Sequence, residues 1–346
     1  MHARFPLYRW LAAALLFALA STVASVGIHA QAVEQDITAT KRLYPEIGAG
    51  VWSIKRGPAG HYYILVGRSV LVFGDDQQKL AEIPKPPEKG YHGAPPLVYG
   101  VAFDVDSAGR VYVADRAANI LRIFSPDGDS LLNISFQSPT GIVVLPSGEI
   151  AAASASTDHL ITIFDARGRE LRSIGDQVDF SDNHTFNRFL NVGHLASDTA
   201  NNIYFAFNYF PEPTFRKYDR AGYAQLDISL TTVEFAPAAQ AARREIKRET
   251  TTGNVPELKP TVSCIGVDPK TERIWLAFGN EVMLFEKDGT QLAEYRLYTP
   301  EGGRLILNSI LIEPERLIIT SDPLGIYEFP RPDKLIPPSP SAPKPF

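Results

Sequence analysis

Residues 100–134 read GVAFDVDSAGRVYVADRAANILRIFSPDGDSLLNI. Val101-Ala102-Phe103-Asp104 reads as an inner strand, apolar enough to be buried on both faces and so not strictly alternating. Asp106-Ser107-Ala108-Gly109 supplies the residues of a tight turn. Residues 110–114 (RVYVA) form a second strand, and residues 120–124 (ILRIF) a third that ends in an aromatic. Ser125-Pro126-Asp127-Gly128 is a hairpin turn, and residues 131–136 are an outer, more polar strand.

The same order recurs at residues 141–175, 193–229 and 264–297, with weaker copies at 50–83 and 308–332. Third strands close on Phe73, Phe164, Tyr218 and Phe285, each followed by turn residues such as Asp165-Ala166-Arg167-Gly168. One small sheet cannot cover both of its apolar faces. Sheets stacked radially cover one another and leave only short edges, and a period of about 40–50 residues with four strands per unit is that architecture. The expectation is an all-β chain: a six-bladed β-propeller of four-stranded antiparallel blades.

Residues 100–132 resemble an NHL repeat, the blade unit of a family of six-bladed propellers. The likeness extends over 100–175 and, less closely, over 193–229 and 264–297; units 50–83 and 308–332 match by position. It implies a fold and a face prone to binding, not a reaction. Some six-bladed relatives are enzymes. Gluconolactonase-like propellers hold a divalent metal on the axis with a Glu near the first inner strand; Ala49 stands at that place here, and the later Asn-Gly pattern is missing. The histidines of NHL-type amidating lyases have no residue-by-residue counterpart.

The last unit lacks a fourth strand, because the chain turns proline-rich after Ile326-Tyr327-Glu328-Phe329. The alternating segment 36–43 (DITATKRL) is expected to pair as that outer strand and close the ring, removing two open edges. Residues 234–248 (EFAPAAQAARREIKR) read as a helical insertion between blades 4 and 5, opened by a proline. Arg243, Arg244, Lys247 and Arg248 make one side of it basic, while Phe235 and Ile246 suit packing on the rim. The stretch from residue 330 (PRPDKLIPPSPSAPKPF) reads as an extended end.

Arg4 and Arg9 precede an uncharged apolar run at 11–28, and Ala30-Gln31-Ala32 follows as a small-x-small cleavage site. That is the layout of a secretory signal peptide; an uncleaved anchor is the alternative. The domain plan is therefore a signal peptide at 1–32, a propeller at 33–332 and a Pro-rich tail at 333–346, in a periplasmic or extracellular protein with no stable membrane insertion after cleavage. Cys264 is the only cysteine, so no intramolecular disulfide forms, and its place at the start of an inner strand suits a buried apolar side chain. A net charge of -5 and a pI near 5.8 argue against nucleic acid as partner. The expected state is a monomer.

Blade-to-blade links share one face with the turns between second and third strands. The links 84–99, 176–192, 231–263 and 298–307 are long, and the 208–213 turn adds to the same side; the opposite turns 106–109, 146–148, 198–202 and 268–272 are short. Long loops on a rigid scaffold are where binding sits. Candidate contacts there are Tyr91, His92, Arg116, His184, Arg188 and His194, which offer aromatic, cationic and hydrogen-bonding groups near the axis. His61 and His159 lie near the same face, so a divalent metal on the axis is possible, but no HxH or HExxH spacing points to one and no cofactor is predicted. GxSxG, Walker and Rossmann patterns are also missing. The first reading is a non-catalytic propeller that binds a small ligand or a protein partner on its loop-rich face. A metal-assisted lyase or lactonase, and a scaffold subunit of an envelope complex, are the alternatives. Expressed with its leader in a bacterial host, the exported protein is expected to lose about 30 residues at the cleavage site; an intact mass that retains Met1 or His2 would establish an anchor instead.

Overall fold

The computed structural model describes residues 33–87, 93–231, 236–252 and 258–336. Six sheets form the blades. Blade 1 comprises strands Val51–Arg56, Tyr62–Val66, Ser69–Phe73 and Lys79–Ile83; blade 2, Gly100–Val105, Val111–Asp115, Ile120–Phe124 and Ser130–Ser135. Blade 3 has Pro139–Val144, Ile150–Ser154, His159–Phe164 and Glu170–Asp176; blade 4, Gly193–Ser197, Ile203–Phe207, Thr214–Tyr218 and Ala224–Ser229. Blade 5 has Cys264–Val267, Ile274–Phe278, Glu281–Phe285 and Gln291–Tyr298, and blade 6 has Leu307–Ile312, Arg316–Ser321 and Gly325–Pro330. Within a blade, successive strands pair antiparallel. Inner strands touch in ring order and return from blade 6 to blade 1.

The core lies between blades, not within them. Tyr112 and Ile123 of blade 2 pack with Ile142 and Ile150 of blade 3, and Trp275 and Leu284 of blade 5 pack with Leu317 and Phe329 of blade 6. Ile318 and Ile326 of blade 6 pack with Ile64 and Phe73 of blade 1, so the ring is apolar all the way round. The third-strand aromatics that mark the repeat are part of these seams: Phe73, Phe124, Phe164 and Phe285 are all buried. Cys264 is buried too, and burial pushes its thiol up to about 12.

Closure uses two strands where the sequence suggests one. Lys41–Leu43 pairs antiparallel with Gly325–Pro330 as the fourth strand of blade 6, as expected. Val33–Thr38, which includes the first residues of the predicted closing segment, instead runs parallel to Gln291–Tyr298 as a fifth strand on blade 5. The N–H of Ala39 donates to Tyr298 O at 2.9 Å and that of Thr40 to Glu328 O at 2.8 Å, so the hydrogen bonding continues across the seam. Ile37 is buried with Trp275 and Leu297, and Leu43 with Tyr62 and Ile326.

At the short-turn face the turns are held by carboxylates. Asp106 accepts from the N–H groups of Ala108 and Arg110 at 2.9 Å each, from Arg110 Nε at 2.6 Å and from the Tyr112 hydroxyl at 3.0 Å. Asp198 repeats this with Ala200, Asn202 and the Tyr204 hydroxyl. An aspartate at the head of the turn thus satisfies backbone donors and ties the second strand down six residues later. Burial, aided by the charge of Asp106, pushes the Tyr112 hydroxyl up to about 12, so it stays a donor at neutral pH.

Two α-helices sit in the long links: α1, His184–Leu190, and α2, Ala236–Thr252, between the last strand of blade 4 and the first of blade 5. The sequence reading did not anticipate α1. In α2, Ile246 is buried as expected, and Phe235 lies outside the described residues. Where an extended end is expected from residue 330, the chain first forms the 3-10 helix Pro332–Leu335. Arg331 binds Asp268 at 2.7 Å and Asp333 at 2.6 Å, which fastens this segment to blade 5.

Truncation of Ile37 or Leu43 to alanine is expected to cost about 3 kcal/mol each in global stability, as for other buried aliphatic side chains. Removal of residues 33–43 is expected to unfold the ring at room temperature. Leu131→Ala, on an exposed outer strand, is the control. Denaturant melts in which Ile37→Ala matches Leu131→Ala would show that the strap is dispensable.

Candidate binding site at the loop-rich mouth of the axis

The inner strands start at the loop-rich face, and their first residues surround the mouth of the axis. In four blades the pairing shifts register at this point, between Val51 and Ser53, Gly100 and Ala102, Pro139 and Gly141, and Leu307 and Ser309. Trp52, Val101, Thr140 and Asn308 therefore stand outside the ladder, partly exposed. A bulge re-aims its side chain, and bulges gather beside sites. His194 occupies the corresponding second place in blade 4. His194 keeps a partly exposed edge, yet the protein packed around it desolvates the imidazole and pushes it down to about 4, so it is neutral at neutral pH, and among the described residues no hydrogen bond reaches it. Ser53, Thr140 and Ser263 each bury a hydroxyl oxygen with no partner among the described residues near the start of an inner strand. The amide oxygen of Asn208 and the hydroxyl of Ser321 are buried in the same way in or beside the turns of this face. Native proteins leave few such groups, and those they leave are commonly met by water or ligand.

Side-chain hydrogen bonds hold the described parts of two links above the mouth. Asp115 accepts from the N–H groups of Val98 and Tyr99 at 3.0 and 2.9 Å. Arg122 donates to Pro95 O and Pro96 O at 2.8 and 3.1 Å and lies 3.6 Å from Asp115. Both charges are buried and hydrogen-bonded, so the link before blade 2 is stapled in place. It holds Val98 and Tyr99 outward, and Tyr99 meets Trp52 edge-to-face at 5.9 Å. The link before blade 4 is stapled by two buried amides. Asn187 accepts from the N–H groups of Phe180 and Ser181, and Asn191 exchanges hydrogen bonds with Val178. Asn183 caps α1, accepting from Phe186 N at 3.1 Å.

The structure brings four of the candidates to this face and separates their roles. Arg116 is exposed; its backbone N–H binds Tyr99 O at 2.9 Å, and its charge acts on the hydroxyl of Tyr209, which burial raises. Among the described residues no carboxylate pairs with it. Tyr209 stacks on Phe189 of α1 at 4.7 Å. His184 is exposed at the start of α1. Arg188 is committed to Asp158 through two contacts of 3.0 and 2.6 Å, which hold that carboxyl below its usual range. His194 lies deeper, at the mouth itself. Tyr91 and His92 lie outside the described residues. The amide of Asn191 is spent on its own loop.

Half of the basic side of α2 is also spent: Arg243 binds Glu212 at 2.6 Å, and Arg248 binds Glu245 and Glu249. Sequence reasoning missed Trp52, Tyr99, Tyr209 and Phe189. Only the length of their loops pointed toward them. Among the described residues no three His, Cys, Asp or Glu side chains converge as a metal-binding group.

The chain matches no family model and no curated protein by sequence. Solved structures resemble it in fold. Virginiamycin B lyase from Staphylococcus aureus, in a catalytically inactive form with quinupristin, is 14% identical, with a TM-score of 0.52 over 84% of this chain and 98% of that one. U3-55K is 13% identical, with a TM-score of 0.52 over 86% of this chain and 98% of that one. At such identity the likeness establishes the fold alone.

His194 supplies a pH readout of the mouth. Its lowered value means that the unfolded chain takes up a proton below about 6.5 while the folded chain does not. The His194 share of stability is therefore complete above that pH and is lost as pH falls toward 4. Ring-carbon NMR should show one imidazole titrating near 4, absent in His194→Gln. A His194 midpoint near 6.5 would mean that the mouth is open to water.

Proposed function

We propose that this chain is an exported, NHL-like propeller that does no chemistry of its own and holds a protein partner on its loop-rich face. One observation carries the reading. Among the described residues, four of the eight exposed large apolar side chains lie on this face: Val98 at 55%, Tyr99 at 43%, Ile306 at 62% and Leu324 at 36% exposure. The other four, Leu80, Leu131, Leu171 and Tyr223, stand singly on the outer edges of blades 1 to 4. Scattered exposed apolar residues need no explanation, whereas a gathered set beside an unpaired arginine and stacked aromatics has the composition of an interface core.

Contacts link Leu324 to Val98 and Tyr99 in an arc. Gly50 N donates to the carboxylate of Asp322, two residues before Leu324. The Thr320 hydroxyl donates to Trp52 O, Trp52 meets Tyr99, and Tyr99 O accepts from Arg116 N. Arg116 then acts on Tyr209, which stacks on Phe189. The partner segment that suits this arc is extended and apolar with one carboxylate for Arg116.

A photo-cross-linking residue placed at position 99 or 324 should give discrete adducts in the source cell's envelope. The same residue at 171, on the rim, or at 147, on the short-turn face, should give none. Arg116→Glu should abolish the adducts without shifting the melting temperature. Adducts confined to position 147 would move the partner to the other face, and adducts from no position would remove the reading.

A further inference from the structure

The opposite end of the axis has an unassigned cavity of about 1100 Å³. It lies among the first-to-second-strand turns of blades 2 to 6 and the inner strands beneath them. We propose that this basin is a site for a small, uncharged, largely apolar molecule. The proposal stands apart from the partner reading of the loop-rich face, since it uses none of the same residues.

Three properties of the wall carry it. The floor is apolar and comes from several blades: Val105, Val144, Ile265, Val267, Ile310 and Ile312 all line it. Val105, Val267 and Ile310 are only partly buried, although each sits on an inner strand. Apolar side chains left half-covered at the bottom of a concave site gain by being covered, at about 25 cal/mol per Å². The volume is on the scale of small-molecule sites, which reach about 1,000 Å³.

The second property excludes the other ligand classes. All nine charged residues of the wall are already ion-paired within the protein. Lys55 lies 3.4 Å from Asp104, and Arg110 lies 2.6 Å from Asp106. Glu313 takes Arg56 and Arg316 at 2.6 Å each, and Arg316 also binds Glu328. Asp198 has Lys217 at 3.8 Å, and Glu315 has Lys334. The Tyr62 hydroxyl completes the Glu313 carboxylate at 2.9 Å. A charged ligand would have to compete with these pairs, at the greatest cost where they are part-buried, as around Glu313. A neutral ligand breaks nothing.

The third property is a polar handle. Ser197 ends the inner strand of blade 4, lines the basin and is partly exposed. Its hydroxyl makes no hydrogen bond to the described residues. It can meet one hydroxyl or carbonyl of a ligand whose remainder covers the floor.

The test uses uncharged N-phenyl-1-naphthylamine and its sulfonated analogue, anilinonaphthalene sulfonate, titrated by fluorescence. The uncharged probe should bind at one per chain, and the sulfonate at least tenfold more weakly. Ser197→Phe, which removes the hydroxyl and puts a ring into the basin, and Val267→Lys, which charges its floor, should each weaken the uncharged probe at least tenfold. Leu171→Ser on the rim should leave it unchanged, and near-ultraviolet circular dichroism checks that each variant is folded. Tighter binding of the sulfonate would overturn the proposal, as would binding that survives both basin variants or is lost in Leu171→Ser. Binding seen only after removal of residues 337–346 would assign the basin to the chain's own tail and overturn it equally.

Discussion

Every blade of this protein has two apolar faces, and the only surfaces that can cover them are other blades. The ring therefore has to close. Closure rests on residues 33–43, which satisfy the open edges of blades 5 and 6 together. A single fourth strand on blade 6 would complete that blade and leave the seam held by side chains alone. The parallel strand Val33–Thr38 adds backbone bonding on blade 5, and the bonds of Ala39 and Thr40 run from one blade to the next. Ile37 and Leu43 carry the same continuity into two adjacent apolar seams.

The two ends of the axis solve different problems. At the short-turn end, carboxylates such as Asp106 and Asp198 consume the turn's own donors, which keeps those turns compact and their charges paired. At the loop-rich end the chain spends polar residues on staples, Asp115 with Arg122 and Asn187 with Asn191, and these free the apolar and aromatic residues to face outward. A loop that presents Val98 and Tyr99 to water must be held by something other than its own burial. The staples are that something. Binding through Val98 and Tyr99 loses less conformational entropy, because their backbone is already held by Asp115.

Much of the fold was legible because its signals are local. Phe124, Phe164 and Phe285 each end a third strand and precede a turn, so blade count and strand order follow from short windows. The destination of Ile37 was not legible. An alternating segment fits any free edge, and nothing in residues 36–43 distinguishes the outer strand of blade 6 from that of blade 5. The site was legible as a face and not as a set of contacts. Arg116 stood out by type and position, but Tyr209 and Phe189 meet only because two separate loops cross. Arg188 looked available and is not, since its partner, Asp158, lies thirty residues earlier in another turn. The Asp-x5-Tyr spacing at Asp106–Tyr112 and Asp198–Tyr204 was a readable signal that went unused.

The strap has a consequence for the order of synthesis. Residues 33–43 are made before any blade, yet their partners, Gln291–Tyr298 and Gly325–Pro330, belong to the last two blades. Until then the first strands wait without a home and the growing sheet array has a raw edge at each end. Contacts of such sequence separation make for slow, late assembly. A ribosome that stalls before blade 6 releases a product with no means of locking itself, open to proteases. The finished ring thus reports that all six blades were made, because the strands that precede the first blade are hydrogen-bonded to the last two.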